Sequence, residues 1–131
     1  MANKKLALEW FDFARKNLET AILLYKANHY TDVISIDIQQ SIEKALKAIY
    51  AYNNDKIPKT HALDILFNYA SRYIDWQNTE LKTLLIINDY YQSERYPGPR
   101  YFMPEREEIS SSIQYAENIL EQVLNFINKY E

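Results

Sequence analysis

Apolar side chains recur every three or four residues along most of the chain, which is the spacing of a helix with one buried face. The first such segment covers residues 3 to about 28. Its main apolar row is Ala7, Phe11, Ala14, Leu18, Ala21 and Tyr25, and a second row beside it is Leu6, Trp10, Phe13 and Leu24. The two rows cover about half of the helix circumference, more than the ~100° stripe that one neighbour requires. We therefore expect this helix to pack against more than one partner.

Four further segments show the same spacing and end at residues that favour turns. They are a helix from Thr31 or Asp32 to about Asn53, a shorter one over 61–73, one over 77–93, and a last one from Pro104 to about Ile127. Thr31 or Asp32, and later Thr60, are predicted N-caps, because their side-chain oxygens accept hydrogen bonds from free backbone N–H groups. The predicted fold is all-α and a single domain over residues 1–131. It is an antiparallel up-and-down four-helix bundle with one additional short helix.

Composition narrows the class of protein. The chain of 131 residues has no cysteine, which excludes disulfides and thiolate metal sites and fits a reducing compartment, so we expect a cytoplasmic location. Its longest wholly apolar run, residues 84–87, is far shorter than the ~20 residues that cross a bilayer. Glu9 and Asp12 interrupt what would be the apolar part of a signal peptide.

The net charge of the chain, -3, disfavours nonspecific binding along a nucleic-acid backbone, which requires dense positive charge. Local recognition of a single nucleotide is still compatible with this charge.

The second predicted helix contains the polar segment DIQQSIEKALKA, residues 37–48. Gln40, Glu43, Lys44 and Lys47 are spaced at helical intervals, so they share one face. From periodicity alone, the favoured interpretation is a solvated face on which Glu43 and Lys47 form a pair worth ~0.3–0.5 kcal/mol. The alternative is a binding role for these residues.

The chain has two histidines, and His61 follows a predicted cap. It could be a general base, a metal ligand or a helix-start residue whose ring caps a backbone group, and the last of these is favoured for a lone histidine. No predicted helix contains the Glu-x-x-His motif of di-metal bundles. Asp37, Glu43, Asp64 and Asp89 do not form a convincing ligand set. No metal or other cofactor is therefore expected.

The stretch SERYPGPRYF, residues 93–102, separates the fourth and fifth predicted helices. Its central Pro-Gly-Pro explains a turn, because proline fixes φ and glycine reaches conformations that other residues avoid. A turn does not require the arginines and tyrosines beside it. A site for an anion or a nucleotide would use both, with Arg95 or Arg100 bonding phosphate and Tyr96 or Tyr101 stacking. The sequence therefore leaves two interpretations of this segment, a plain turn or a binding site.

Three pieces in this order, QQSIEKALKAIY, PKTHAL and ERYPG, resemble the HEPN domain family of bacteria and archaea. The resemblance extends from LEWFDFARKNLETAILLYKANHYTDVI in the first helix to ISSSIQYAENILEQVLNFI in the last, nearly the whole chain. It implies a helical bundle that commonly forms a homodimer, and a gene that is often encoded beside a minimal nucleotidyltransferase. It also implies that the polar face of the second helix, Gln40, Glu43, Lys44 and Lys47, approaches Arg95.

The resemblance is incomplete at one motif. Many HEPN proteins are metal-independent RNA nucleases built on Arg-x4–6-His, but no histidine follows Arg95 or Arg100 at that distance. Without a group that titrates near neutral pH, general acid–base cleavage is weakened by ~10²–10⁴-fold. No catalytic residue is therefore assigned.

The leading hypothesis is a HEPN protein that binds a nucleotide or phosphate-bearing ligand and acts with a nucleotidyltransferase partner. Its predicted ligand-binding residues are Arg95, Tyr96, Arg100, Gln40, Glu43, Lys44, Lys47 and His61. One alternative is an RNase toxin of a toxin–antitoxin pair, in which His61 replaces the missing histidine and works with Arg95 or Arg100. The other is a non-catalytic structural adaptor whose loop serves a dimer contact.

Overall fold

The computed structural model describes residues 2–93 and 103–129, and all regular structure in these ranges is helical. The helices are α1 Lys4–Lys26, α2 Thr31–Tyr52, α3 Leu63–Ala70, α4 Leu81–Ser93 and α5 Arg106–Asn128. This confirms the predicted all-α class, with four longer helices and one short one. Within the same ranges, no helix has both the length and the apolarity that a membrane span requires.

Contacts between helix ends give the direction of each helix. The backbone N–H of Asn3, before α1, donates to the carbonyl of Tyr52 at the end of α2, so α1 and α2 run antiparallel. Arg106, the first residue of α5, donates to a backbone carbonyl in the last turn of α1. Tyr90 near the end of α4 bonds to Glu108 near the start of α5. The four longer helices therefore alternate in direction, as predicted for an up-and-down bundle.

α2 is the central helix, because it packs against each of the other four. It contributes five large side chains with no exposed surface, Ile34, Ile38, Ile42, Leu46 and Ile49. Each side chain of this kind stabilises the fold by ~1.5–3 kcal/mol relative to leaving it in water. Since neighbours surround α2, some of its polar side chains are buried as well, among them Gln39, Glu43 and Lys47.

α1 packs along both α2 and α5, which confirms the expectation of more than one partner. Five members of its main apolar row are buried, Ala7, Phe11, Ala14, Leu18 and Ala21, whereas Phe13 of the second row stays 57% exposed. α1 begins next to the predicted residue. The Oδ1 atom of Asn3 accepts a hydrogen bond from the backbone N–H of Leu6 at 3.1 Å, as an N-cap does.

α1 and α2 end in the same way. Asn28 and Asn54 each have φ of 58°, in the left-handed region that asparagine tolerates better than most residues. The N–H groups of the residues that follow them, His29 and Asp55, bond back to carbonyls in the last helical turn. This closure satisfies carbonyls that have no partner within the helix, and it ends both helices close to the predicted residues.

The prediction of Thr31 or Asp32 as the N-cap of α2 is wrong. The N-cap is Tyr30, which makes no side-chain cap, and Thr31 is already the first helical residue. The Thr31 hydroxyl is buried and has no hydrogen-bond partner among the described residues. Asp32 lies inside the first turn, where its carboxylate accepts a hydrogen bond from the N–H of Val33.

The predicted N-cap of α3 is also misplaced, because a side chain of α4 performs that role. Thr60 accepts a hydrogen bond from the N–H of Ala62 at 3.1 Å, but α3 begins only at Leu63. The N–H of Leu63 donates to Oδ1 of Asn88 on α4 at 2.8 Å. α3 therefore starts two residues later than predicted and is tied to α4.

α4 begins at Leu81 rather than at the predicted residue 77, because α5 binds the backbone before it. The N–H of Gln77 donates to Oε1 of Gln122, and the Gln77 carbonyl accepts from the side chains of Gln122 and Asn118 at 2.8 and 2.9 Å. These groups are therefore occupied outside a helix. We call Gln77, Asn118 and Gln122 the amide clamp, and it positions the start of α4 on α5.

Candidate functional site

A buried ion pair lies on α2. Glu43 and Lys47 are one helical turn apart and only 4% and 6% exposed, and Lys47 Nζ lies 3.0 Å from Glu43 Oε2. The interpretation of these two residues as part of a solvated face is therefore wrong. The reason is that α3, α4 and the loop before α3 pack against α2, and buried charges are tolerated when they are paired.

His61 reaches this pair from the loop before α3. Its Nδ1 atom lies 3.0 and 3.1 Å from the two carboxylate oxygens of Glu43. The expectation that the ring caps a backbone group is therefore wrong, because its partner is a side chain on another helix. We call Gln39, Glu43, Lys47 and His61 the Glu43 cluster, since each of the other three side chains contacts that carboxylate.

The contacts of Glu43 indicate which ring nitrogen of His61 carries a hydrogen. An ionised carboxylate can only accept hydrogen bonds, so Nδ1 acts as the donor. In the neutral ring, Nε2 then carries the lone pair, and it has no hydrogen-bond partner among the described residues. The His61 side chain is 45% exposed. Its Nε2 atom can therefore accept a hydrogen bond or a proton from a ligand.

Gln39 is part of the cluster and was not identified from the sequence, which pointed to Gln40. The Nε2 atom of the fully buried Gln39 donates to Glu43 Oε1 at 3.1 Å and to the His61 carbonyl at 3.2 Å. Gln40 donates to Gln39 Oε1 at 2.7 Å and contacts the cluster through it. The spacing of Gln39, Glu43 and Lys47 at intervals of four was a signal that could have found this residue.

The cluster borders a groove of about 350 Å³ between the loop before α3 and the last turns of α4. We call it the His61 groove, and its lining residues are Thr60, His61, Ala62, Asn88, Asp89 and Tyr91. The rings of His61 and Tyr91 are stacked, with centroids 4.2 Å apart and planes 16° apart. No sequence signal joined these two residues, because they meet only when α4 packs beside the loop.

The polar residues predicted to share one face of α2 divide into two groups. Glu43 and Lys47 lie in the cluster, whereas Lys44 extends toward α1, where its Nζ donates to Oδ1 of Asn17 at 2.8 Å. Asn17 also donates from Nδ2 to Oδ1 of Asp37 at 3.1 Å. Burial raises the pKa of the Asp37 carboxyl, against smaller opposing effects of Asn17 and Lys44. Lys44 therefore belongs to an α1–α2 contact and not to the groove.

Three of the predicted ligand-binding residues, Arg95, Tyr96 and Arg100, lie outside the described residues. In the sequence, Arg95 follows the last residue of α4 by two positions, and Tyr91 of the groove lies in the last turn of that helix. The approach of Arg95 to α2 stays a prediction.

Other features of the described chain are less suited to a site. No three histidine or acidic side chains in residues 2–93 and 103–129 are grouped so that they could hold a metal ion. A cavity of about 410 Å³ lies beside α5, and its lining includes the three residues of the amide clamp. Those side chains already bond to one another or to backbone, and no histidine lines the cavity. The His61 groove is therefore the better candidate.

Comparison with known proteins gives three kinds of similarity. A family model described as "HEPN domain" matches residues 7–126. A relative from Methanocaldococcus jannaschii named "Putative toxin MJ1304" is 30% identical, with 97% of this chain and 91% of the relative aligned. Among solved structures, TT1696 from Thermus thermophilus has a TM-score of 0.77 at 24% identity, covering 92% of this chain and 97% of its own.

A second solved structure, ST0689, is described as an archaeal HEPN homologue. It has a TM-score of 0.71 at 21% identity and covers 95% of this chain and 99% of its own. At such identities the two structures support the fold alone. The family model covers most of the chain, and with it the Glu43 cluster and the His61 groove. This chain is therefore a member of the HEPN domain family.

Proposed function

We propose that this HEPN protein binds a nucleotide or another phosphate-bearing ligand in the His61 groove. The observation that carries the proposal is the Glu43 cluster, in which a buried ion pair holds a half-exposed imidazole at the edge of the groove. A buried ion pair adds little net stability, because the desolvation of two charges offsets their attraction. Stability alone does not account for the cluster, whereas orienting His61 toward a ligand does.

The lining of the groove suits a nucleotide. The stacked rings of His61 and Tyr91 offer a flat surface against which a base can lie. Polar side chains of α4 and of the loop before α3 supply partners for the base or the sugar. Arg95 and Arg100 follow α4 in the sequence and supply the forked donors that phosphate favours. The base thus lies at the rings and the phosphate toward the segment after α4.

A protein partner is the second part of the proposal. The name of the M. jannaschii relative supports a toxin-related role, and the family resemblance supports a nucleotidyltransferase partner and a homodimer. Phe13 and Leu23 on α1 are 57% and 67% exposed and supply apolar surface for such contacts. If the proposal is correct, a minimal nucleotidyltransferase encoded beside the gene copurifies with this chain on co-expression. Separate elution of the two proteins would contradict it.

Calorimetric titration with a panel of ribonucleotides tests ligand binding. Wild-type protein should release heat with at least one nucleotide. Arg95→Ala should weaken binding about ten- to a hundredfold, because hydrogen bonds between charged groups are lost. His61→Ala should weaken it as well, whereas His29→Ala, in the turn between α1 and α2, should leave it unchanged. Absence of heat with every nucleotide, or equal affinity of all variants, would count against the proposal.

An RNase toxin is the second candidate, and the geometry of His61 favours it. An imidazole whose Nδ1 is held by a carboxylate presents Nε2 for proton transfer, as in many hydrolytic sites. Incubation of the purified protein with cellular RNA separates the two candidates. Cleavage that His61→Ala abolishes and His29→Ala retains would establish the nuclease. Intact RNA together with nucleotide binding is the result that we expect.

A further inference from the structure

Among the described residues, the lining of the His61 groove includes one acidic residue, Asp89. It lies on α4, is exposed, and lines the groove beside Tyr91. It makes no hydrogen bond or ion pair with any residue in the described part of the chain. Its neighbour Asn88 differs, because the Asn88 side chain already accepts the N–H of Leu63. The Asp89 carboxylate can therefore accept hydrogen bonds from a ligand, whereas Asn88 already accepts one from the first residue of α3.

The chemistry of a free carboxylate restricts what it can recognise. Its two oxygens accept hydrogen bonds and donate none, so its best match is a ligand with two adjacent donors. Tyr91 stacks on one face of the His61 ring, and the His61 side chain, which lines the groove, is still 45% exposed. Because His61 and Asp89 line the same groove, a ligand stacked on His61 can place its edge or its sugar near Asp89.

We infer that Asp89 is a specificity-determining residue that binds a pair of adjacent N–H or O–H donors on a nucleoside held at His61. This inference rests on the proposed nucleotide binding and deepens it. Two parts of a nucleoside present such a pair. One is the N1–H and exocyclic amine of guanine, and the other is the 2′,3′-diol of ribose, for which acidic residues serve elsewhere. The bases adenine and cytosine present a donor beside an acceptor and match a carboxylate less well.

Titrations of the full-length protein with guanosine, inosine, adenosine and 2′-deoxyguanosine distinguish the two sources. Uncharged nucleosides are used so that the contacts and the charge of a phosphate do not add to the effect of Asp89. If the guanine edge is bound, guanosine binds about tenfold or more tightly than inosine, which lacks the amine. If the diol is bound, guanosine and adenosine bind alike, and 2′-deoxyguanosine binds about tenfold more weakly.

Asp89→Asn should remove whichever preference the wild type shows, because an amide has one acceptor oxygen and its NH2 group would face the second donor of the ligand. Asp64→Asn is the matched control, since Asp64 is an exposed carboxylate at the start of α3 that does not line the groove. Nucleotide binding that depends on His61, with equal affinity for all four nucleosides or no effect of Asp89→Asn, would overturn the inference and leave the proposed function standing. No binding of any nucleotide by the wild type would overturn both.

Discussion

Glu43 is the residue on which the candidate site depends most, because three side chains donate to its carboxylate. Lys47→Met would leave this charge buried without its ammonium partner. We expect the free energy of unfolding to fall by about 3 kcal/mol, since an unpaired buried charge is strongly destabilising. Chemical denaturation measures the change. The double variant Glu43→Gln/Lys47→Met should regain most of the loss, and a fully stable Lys47→Met would contradict the buried pair.

Asp37 provides a test at low pH. Burial raises the pKa of its carboxyl above the ordinary value of 3.8. The folded state thus holds the proton more tightly than the unfolded chain, so this group favours folding below pH 3.8 and opposes it as the pH rises through the raised pKa. We therefore expect Asp37→Asn to raise the melting temperature at pH 7. The gain should shrink as the pH falls through the raised pKa, and it should be lost at and below pH 3.8.

Asp64→Asn is the control for this experiment. Asp64 lies in the first turn of α3, where a negative charge interacts favourably with the helix dipole. Its replacement should lower the melting temperature slightly at pH 7, opposite in sign to Asp37→Asn. A lower melting temperature for Asp37→Asn at pH 7 would show that its contacts with Asn17 and Lys44 outweigh desolvation.

Two buried tyrosines should respond oppositely to the same substitution. The Tyr115 hydroxyl is buried and has no hydrogen-bond partner among the described residues, and burial, with the charge of Glu80, raises the pKa of Tyr115 to about 12. Tyr115→Phe should be neutral or slightly stabilising. The Tyr90 hydroxyl bonds to Glu108 and Ser112, so Tyr90→Phe should cost about 1.5 kcal/mol. Thermal unfolding compares the two, and equal losses would contradict the assigned environments.

Sequence reasoning identified Glu43, Lys47 and His61 as candidate residues but did not predict how they meet. The helical spacing within α2 depends on local sequence and was visible. The burial of Glu43 depends on what covers it, and His61 lies 18 positions away in a loop. Contacts of that kind are set by the packing of several helices, so one sequence cannot specify them. Ligand binding by these residues stays a prediction.

At the scale of helices and loops, the connection before α4 is held in place by side chains of α5, Asn118 and Gln122. Gln122→Ala removes both the acceptor for the Gln77 N–H and a donor to the Gln77 carbonyl. We expect a loss of about 1 kcal/mol in the free energy of unfolding. We also expect faster hydrogen exchange at the Gln77 amide, because local opening becomes easier. Gln114→Ala, on the exposed side of α5, is the control, and unchanged exchange in Gln122→Ala would contradict the clamp.

Helix ends were predictable where they depend on neighbouring residues and not where another helix determines them. The stops after α1 and α2 follow from asparagines that tolerate left-handed backbone, and both were predicted within a residue or two. The starts of α3 and α4 were placed too early. Asn88 on α4 binds the first N–H of α3, and Gln122 on α5 binds the backbone before α4. Neither partner is near in sequence.

At the scale of the whole molecule, the bundle brings together three segments that form the candidate site. α2 supplies the buried charges, the loop before α3 supplies His61, and the last turns of α4 supply Tyr91 and Asp89. The all-α class, the order of helices and the family were predictable, because each depends on patterns that extend over the whole chain. The groove arises only from the way these three segments pack.

Nuclear magnetic resonance of the two histidine rings tests the proposed ligand site most directly, because the chain contains no others. His61 lies in the groove and His29 in the turn between α1 and α2, so His29 serves as an internal control. On titration with a nucleotide, we expect the ring signals of His61 to shift and saturate while those of His29 stay in place. Signals that both stay unchanged, or that move together without saturation, would contradict nucleotide binding in the His61 groove.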